Sequence, residues 1–204
     1  AGLRPLGSTM RYRPVAPLVA CAVLTGMRFG EVVGLTWEQV DVEALGDDGQ
    51  IVGEIHLSAA TKTKRARTID LAVSPALRDL LIAMHERDGG QGLVFGGTRL
   101  TAEAAAKRIR KTYGAPKAFT WQVLRRTCGT FLTNAPGVFG AASAYRSAKQ
   151  LGHSVAVAER HYVGVIRGIS RDARPLEAAM QIETQMAAII AAVDATQAKA
   201  RKIG

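Results

Sequence analysis

The sequence predicts a mostly helical fold with one small antiparallel β-sheet, an α+β domain. Three observations carry this. Over most of the 204 residues, apolar side chains recur at spacings of three and four, the spacing of one helix face. Between residues 50 and 71 that period gives way to alternation and β-branched residues, which suits a pair of strands. Hydrophobic residues make up 48% of the chain and aromatics only 5%, so the core is built from Ala, Val, Leu and Ile. That length can bury a core of its own, and no repeat or low-complexity linker divides it.

The first helix is predicted from about Pro14 to Thr25, with Val15, Leu18, Val19, Cys21 and Val23 apolar and Gly26 as its stop. "RFGEVVGLTWEQVD" (28–41) reads as a second short helix ending in a turn over Thr36–Asp41. "QIVGEIHLS" (50–58) and "ARTIDL" (66–71) read as two strands, and the basic "AATKTKR" between them makes a hairpin. "SPALRDLLIAMHERDGG" is a helix with Ser74 as cap, Pro75 in the first turn and Gly89–Gly90 as stop. "LVF" (93–95) reads as a short strand and "TAEAAAKRIRKTYG" as a helix capped by Thr101. "WQVLRRTCGTFLTN" (121–134) is helical, "APGVFGAASAYRS" a loop, and Ser154 caps a further helix carrying Tyr162. "GVIRGISRDARP" is irregular, and one long helix over about 176–202 closes the pattern.

Lys and Arg number 27 against 17 Asp and Glu, a net charge of +10. This favours an anionic partner, nucleic acid first and a membrane surface second. No apolar run reaches the roughly 18–20 residues of a spanning helix, and "PVAPLVACAVLTGM" carries two prolines. No secretory signal opens the sequence. Cys21 and Cys128 have no metal-ligand spacing, which fits a reduced, cytoplasmic setting.

Several polar residues sit oddly among these elements. Arg28 follows the turn "TGM", Lys62 lies in the hairpin turn, and Arg125 and Arg126 interrupt an apolar helix. His153 precedes Ser154, and Tyr162 follows His153 by nine residues. Each alone reads as a solvated or packing residue. In this order, "TGMRFGEVVGLTWEQVD", "TKTKRARTIDL", "VLRRT" and "LGHS…HY" resemble the catalytic domain of the tyrosine recombinase (phage integrase) family, over about residues 14–164. The resemblance implies that Arg28 and Arg125 are the two catalytic arginines. It makes Lys62 the hairpin lysine, His153 the histidine of "LGH" and Tyr162 the nucleophile. Glu31 matches the acid that orients the arginines. The implied activity is site-specific DNA recombination through a 3′-phosphotyrosine intermediate, by a phage- or bacterially encoded enzyme that assembles as a tetramer on double-stranded DNA. No cofactor and no metal are implied.

The chemistry of these residue types agrees. Attack on a phosphodiester gathers negative charge on the non-bridging oxygens, and arginine forks fit those oxygens in pairs. His153 can add a donor. A phenol with a pKa near 10 becomes a better nucleophile beside that clamp. Lys62 can protonate the departing 5′-oxygen. Lys64 is the rival donor, because strand alternation puts Lys62 and Lys64 on one face and Arg65 and Arg67 on the other. No carboxylate cluster or His/Cys spacing suits a metal.

Two departures stand out. The family's "HxxR" histidine position holds Gln122, which can donate to phosphate but cannot accept the tyrosine proton. The "APGVFGAASAYRS" loop also lengthens the gap between Arg125 and His153. Gln122 keeps open a non-catalytic DNA-binding relative, and the shared chemistry keeps open a type IB topoisomerase.

Further DNA contacts are expected at Lys64, Arg65 and Arg67, at Lys107, Arg108, Arg110 and Lys111 of "KRIRK", and at Arg126, about 100° around the helix from Arg125. His161 reads as packing. Residues 1–175 are expected to form the catalytic domain, with 1–13 as linker. Residues 176–204 are expected as a C-terminal helix docking in its own domain or on a neighbouring protomer, through Ile182, Met186, Ile189, Ile190 and Val193. By the same resemblance the chain reads as a fragment lacking a separate N-terminal DNA-binding domain.

Overall fold

In a computed structural model of the chain, described for residues 15–58, 66–96, 101–139, 143–162 and 175–203, helices surround one small sheet. Side chains are described for all of these except Pro136, Phe139, Ser143, Tyr162 and residues 197–203. Helix α1 (Val15–Thr25) is apolar nearly all round and buries Ala20, Cys21 and Leu24. Its end is sealed locally. The Thr25 hydroxyl donates to the Cys21 carbonyl (2.6 Å) and accepts from the Met27 amide (3.2 Å). Gly26 then turns the chain at φ +64°, where a Cβ would stand 2.3 Å from Leu151 Cδ2. Only glycine fits both the angle and the space.

Helix α2 (Phe29–Val33) is followed by a 3₁₀ turn and β1 (Val40–Asp41), then β2 (Glu54–Leu57) and β3 (Arg67–Asp70). The order is β1-β2-β3, all antiparallel, with Val40 opposite Ile55 and Ile55 opposite Ile69. Ile55, Leu57 and Ile69 face the core, while His56 is exposed. The predicted pair of strands is therefore three. β1 lies in the segment expected as turn, since two residues carry no measurable period. The predicted strand at 93–95 is a turn anchored by one bridge, Thr36 to Leu93, with Val94 and Phe95 buried.

Helix α3 (Pro75–Asp88) ends at left-handed Gly89 as expected, but Ser74 makes no side-chain cap bond. The Ala76 amide instead donates to Glu177 Oε1 at 3.0 Å, so a carboxylate from far along the chain caps α3. Helix α4 (Ala102–Tyr113) is capped by Thr101, and α5 (Trp121–Asn134) by Thr120. The Gly/Ala/Ser-rich stretch expected as loop contains α6 (Pro136–Phe139) and the start of α7 (Ser143–Leu151). Its small residues permit close packing. Ser147 and Ala148 are buried, and Thr133 donates to Ser147 at 3.0 Å between α5 and α7. Helix α8 (Val155–Tyr162) follows.

The single C-terminal helix is broken. α9 (Leu176–Ala179) and α10 (Glu183–Ile203) are separated by Gln181 at φ +58°, and the Ile182 amide donates to the Glu177 carbonyl. Helix α10 packs on α3 and α1 of its own chain, burying Met186 and Val193, with Ile182, Ile189 and Ile190 half-buried on the core. The apolar stripe has the predicted members, and here it covers its own domain. The predicted irregular segment lies outside the described residues but for its last residue, Pro175.

Candidate active site

Helix α5 lies between α1, α7 and α8, and this places Arg125 deep among them. Arg125 is only 5% exposed. Its Nη1 donates to the Gly26 carbonyl (2.6 Å) and Nη2 to the Leu151 carbonyl (2.5 Å). The left-handed turn at Gly26 and the end of α7 therefore aim two carbonyls at one guanidinium. Nothing in the pattern of side chains signals these acceptors, since every residue carries one.

Arg28 sits immediately before α2, and Glu31 lies one turn on. Glu31 Oε2 accepts from the Arg28 amide (2.7 Å) and Oε1 from Arg28 Nη1 (3.3 Å). The same carboxylate is gripped by Arg67, Nη1 to Oε1 at 2.9 Å and Nη2 to Oε2 at 2.7 Å. Burial pushes the Glu31 carboxyl pKa up. The Arg67 bonds, the Arg28 amide and both arginine charges outweigh it and hold the group below the usual value. Glu31 thus bonds Arg28 and Arg67, while the Arg125 anchors are main-chain carbonyls. Arg67, expected on DNA, has a side chain only 5% exposed.

His153 emerges from a tight turn. Gly152, at φ +71°, and His153 both donate main-chain bonds to the Ala148 carbonyl (2.9 and 3.0 Å), closing α7 as a Schellman cap. The His153 Nδ1 lies 3.0 Å from the Ser154 carbonyl. Burial lowers the His153 pKa; the Ser154 contact opposes this, while the charges of Arg125, Arg28 and His161 add to it. The lowered pKa favours the neutral imidazole, with Nδ1–H toward the Ser154 carbonyl by the hydrogen-bond pattern. The Ser154 carbonyl receives the Val157 and Ala158 amides and so opens α8, at whose end Tyr162 lies.

Arg28, Glu31, Gln122 and Arg125 line one open cleft of about 1000 Å³. Gln122 is exposed in the first turn of α5, three residues before Arg125 and on the same face. Arg110 lines the cleft and is fixed by an Nη1 bond to the Phe119 carbonyl (2.5 Å). Lys107 and Lys111 are exposed, and Arg108 is half-buried on the same helix. Arg126 is exposed on α5, away from the cleft lining. Lys117, a cleft cation the sequence reading missed, follows the Gly114 helix stop in a stretch without period. His161, expected to pack, is exposed. Lys62, Lys64, Arg65 and the Tyr162 side chain lie outside the described residues.

Residues 8–163 match the phage integrase family. The chain belongs to that family. Among solved structures, it is similar to the XerH site-specific recombinase bound to palindromic difH substrate in a post-cleavage complex, at 19% identity and a TM-score of 0.47, covering 71% of this chain and 40% of that one. It is also similar to the Tn1549 transposon integrase in complex with a circular intermediate DNA, at 16% identity and a TM-score of 0.46, covering 83% and 57%. This chain therefore spans about half the length of those it resembles. No curated protein gives a significant match. Among the described residues no helix is long and apolar enough to cross a membrane.

Proposed function

We propose that this chain carries out site-specific recombination of double-stranded DNA by cutting and rejoining strands through Tyr162. One observation carries the reading. Arg28 and Arg125, from segments about a hundred residues apart, line one cleft together with Gln122, and His153 feels the charge of both. Such a cleft suits a phosphodiester whose equatorial oxygens gain charge during attack. Gln122 can donate its amide N–H to one of those oxygens. The Tyr162 oxygen forms the new bond to phosphorus, and the bond to the 5′-oxygen breaks. Lys62 supplies the proton that the leaving oxygen takes, with Lys64 as the rival donor. The phenolic proton leaves through water or to a phosphate oxygen, since Gln122 cannot accept it. The phosphotyrosine keeps the energy of the original ester, so the reverse attack reseals the strand without ATP. A tetramer on DNA, with further contacts from Lys107, Lys111, Arg110 and Arg126, completes the proposal.

The test is covalent capture. Supercoiled plasmid carrying a library of random inserts, incubated with the protein and quenched in detergent, is expected to yield protein-linked DNA, mapped by peptide analysis to Tyr162. An adduct on Tyr113 or Tyr145 would overturn the assignment. A second reading, a DNA-binding relative without catalysis, rests on Gln122; duplex binding with no adduct and no rescue by Gln122→His would establish it.

A further inference from the structure

The charge pattern of the hairpin puts Arg67 on DNA, yet every nitrogen of its guanidinium is engaged inside the protein. Nη1 and Nη2 take the two oxygens of Glu31 at 2.9 and 2.7 Å, and Nε donates to the Gln150 carbonyl at 3.1 Å. Its stem lies on Gly152, where an added Cβ would stand 2.9 Å from Arg67 Cδ. Three pieces of the site meet at this one planar group. β3, which begins at Arg67, is the strand that follows segment 59–65, the segment carrying Lys62. Glu31 holds the main-chain amide and side chain of Arg28. Gln150 and Gly152 belong to the turn that sets His153.

We infer that Arg67 is a positioning residue, fastening the β3 end of the hairpin to the Arg28 turn and the His153 turn so that the three are held in one register. The inference rests on the cleft being the proposed recombinase site. Two physical arguments support it. A buried ion pair contributes little stability over an apolar pair of the same volume, so its value here is geometric. Only a planar fork can serve a carboxylate on one edge and a carbonyl on the other; a lysine is a single point charge. Misplacement of a reacting group by about 1 Å is enough to cost about 10²-fold in rate.

The test compares Arg67→Lys, and Arg67→Gln should the lysine variant not fold, with the parent. Arg87→Lys serves as control, because it breaks a similar two-pronged bond, to Asp88, on α3. Duplex affinity, read with a short fluorescent DNA of arbitrary sequence, is expected to stay within about threefold, since many other cations hold the backbone. Single-turnover adduct formation on plasmid is expected to fall about 10²-fold. The His153 imidazole, to be followed by NMR, feels the charges of Arg125, Arg28 and His161, and burial with those charges lowers its pKa. In the variants its midpoint is expected to rise toward the ordinary value as the turn loosens, while Arg87→Lys leaves it in place. Parental rates with a parental His153 midpoint would overturn the inference, as would equal losses in Arg87→Lys. If the parent itself forms no adduct, the recombinase reading fails, and the imidazole titration alone decides whether Arg67 fastens the turn.

Discussion

Arg28 and Arg125 face the same cleft but are held in different ways. Arg125 is fixed by two main-chain carbonyls, neutral dipoles that orient the guanidinium without cancelling its charge. Arg28 shares one carboxylate with a buried arginine, so two cations stand around a single anion. Both arrangements leave net positive charge at the cleft, which suits an anion. They differ in what stiffens them. Carbonyl anchors hold Arg125 only while α1, α5 and α7 stay packed. The Glu31 anchor holds Arg28 only while the carboxylate is ionised.

Arg125→Ala is the most damaging way to break this comparison. It removes a cleft cation and also leaves the Gly26 and Leu151 carbonyls without that donor inside the fold. Adduct formation is expected to drop by roughly 10²–10³, with duplex affinity reduced far less. Single-turnover cleavage beside anisotropy binding checks both. If binding is abolished while residual cleavage is unchanged, Arg125 is a docking residue and the clamp is wrong.

Glu31→Gln tests the other anchor. Removing one member of a buried charged network is expected to destabilise the fold by about 3 kcal/mol at neutral pH. The sign with pH follows from the lowered Glu31 pKa. A depressed carboxyl adds stability above its unfolded value, near 4.3, and that stability is lost as pH falls through the lower folded value. Denaturant melts of parent and variant are therefore expected to differ most at pH 7, with the difference shrinking as pH falls below the unfolded value and through the lowered folded one. A constant difference across that range would show that the carboxylate charge is not what holds Arg28.

Gln122→His sharpens the comparison with the smallest change. A histidine there could take the phenolic proton, a service worth roughly 10²–10⁴ when fully realised. The water route already recovers part of this, so about a tenfold faster cleavage near neutral pH is expected, with duplex affinity unchanged. Rates measured across pH for the parent and the variant decide it. An unchanged rate would place the phenolic proton elsewhere.

Much of the fold was legible in the sequence. Apolar spacing and capping residues located α1, α3, α4, α5 and α8, and Gly26 and Gly89 marked where the chain turns. What failed has a common cause. β1 is too short for a period, α6 and α7 are written in small residues that read as loop, and Gln181 breaks the last helix without a Gly or Pro. The site divides in the same way. The family resemblance pointed to Arg28, Glu31, Gln122, Arg125 and His153; the fold brings the first four to one cleft, and the charges of Arg28 and Arg125 reach His153. Arg67, a charge among charges, looks solvated in the sequence; only the approach of Glu31 and Gln150 buries it.

The sequence by itself determined the family, the helical class and the chemical types available at the cleft, because periodicity, glycine stops and motif order are local or one-dimensional properties. Tertiary structure alone decided which cation faces the cleft and which is locked inside. That choice depends on where two carbonyls and one carboxylate arrive from segments distant in the chain, and burial then fixes the cost of leaving any of them unpaired.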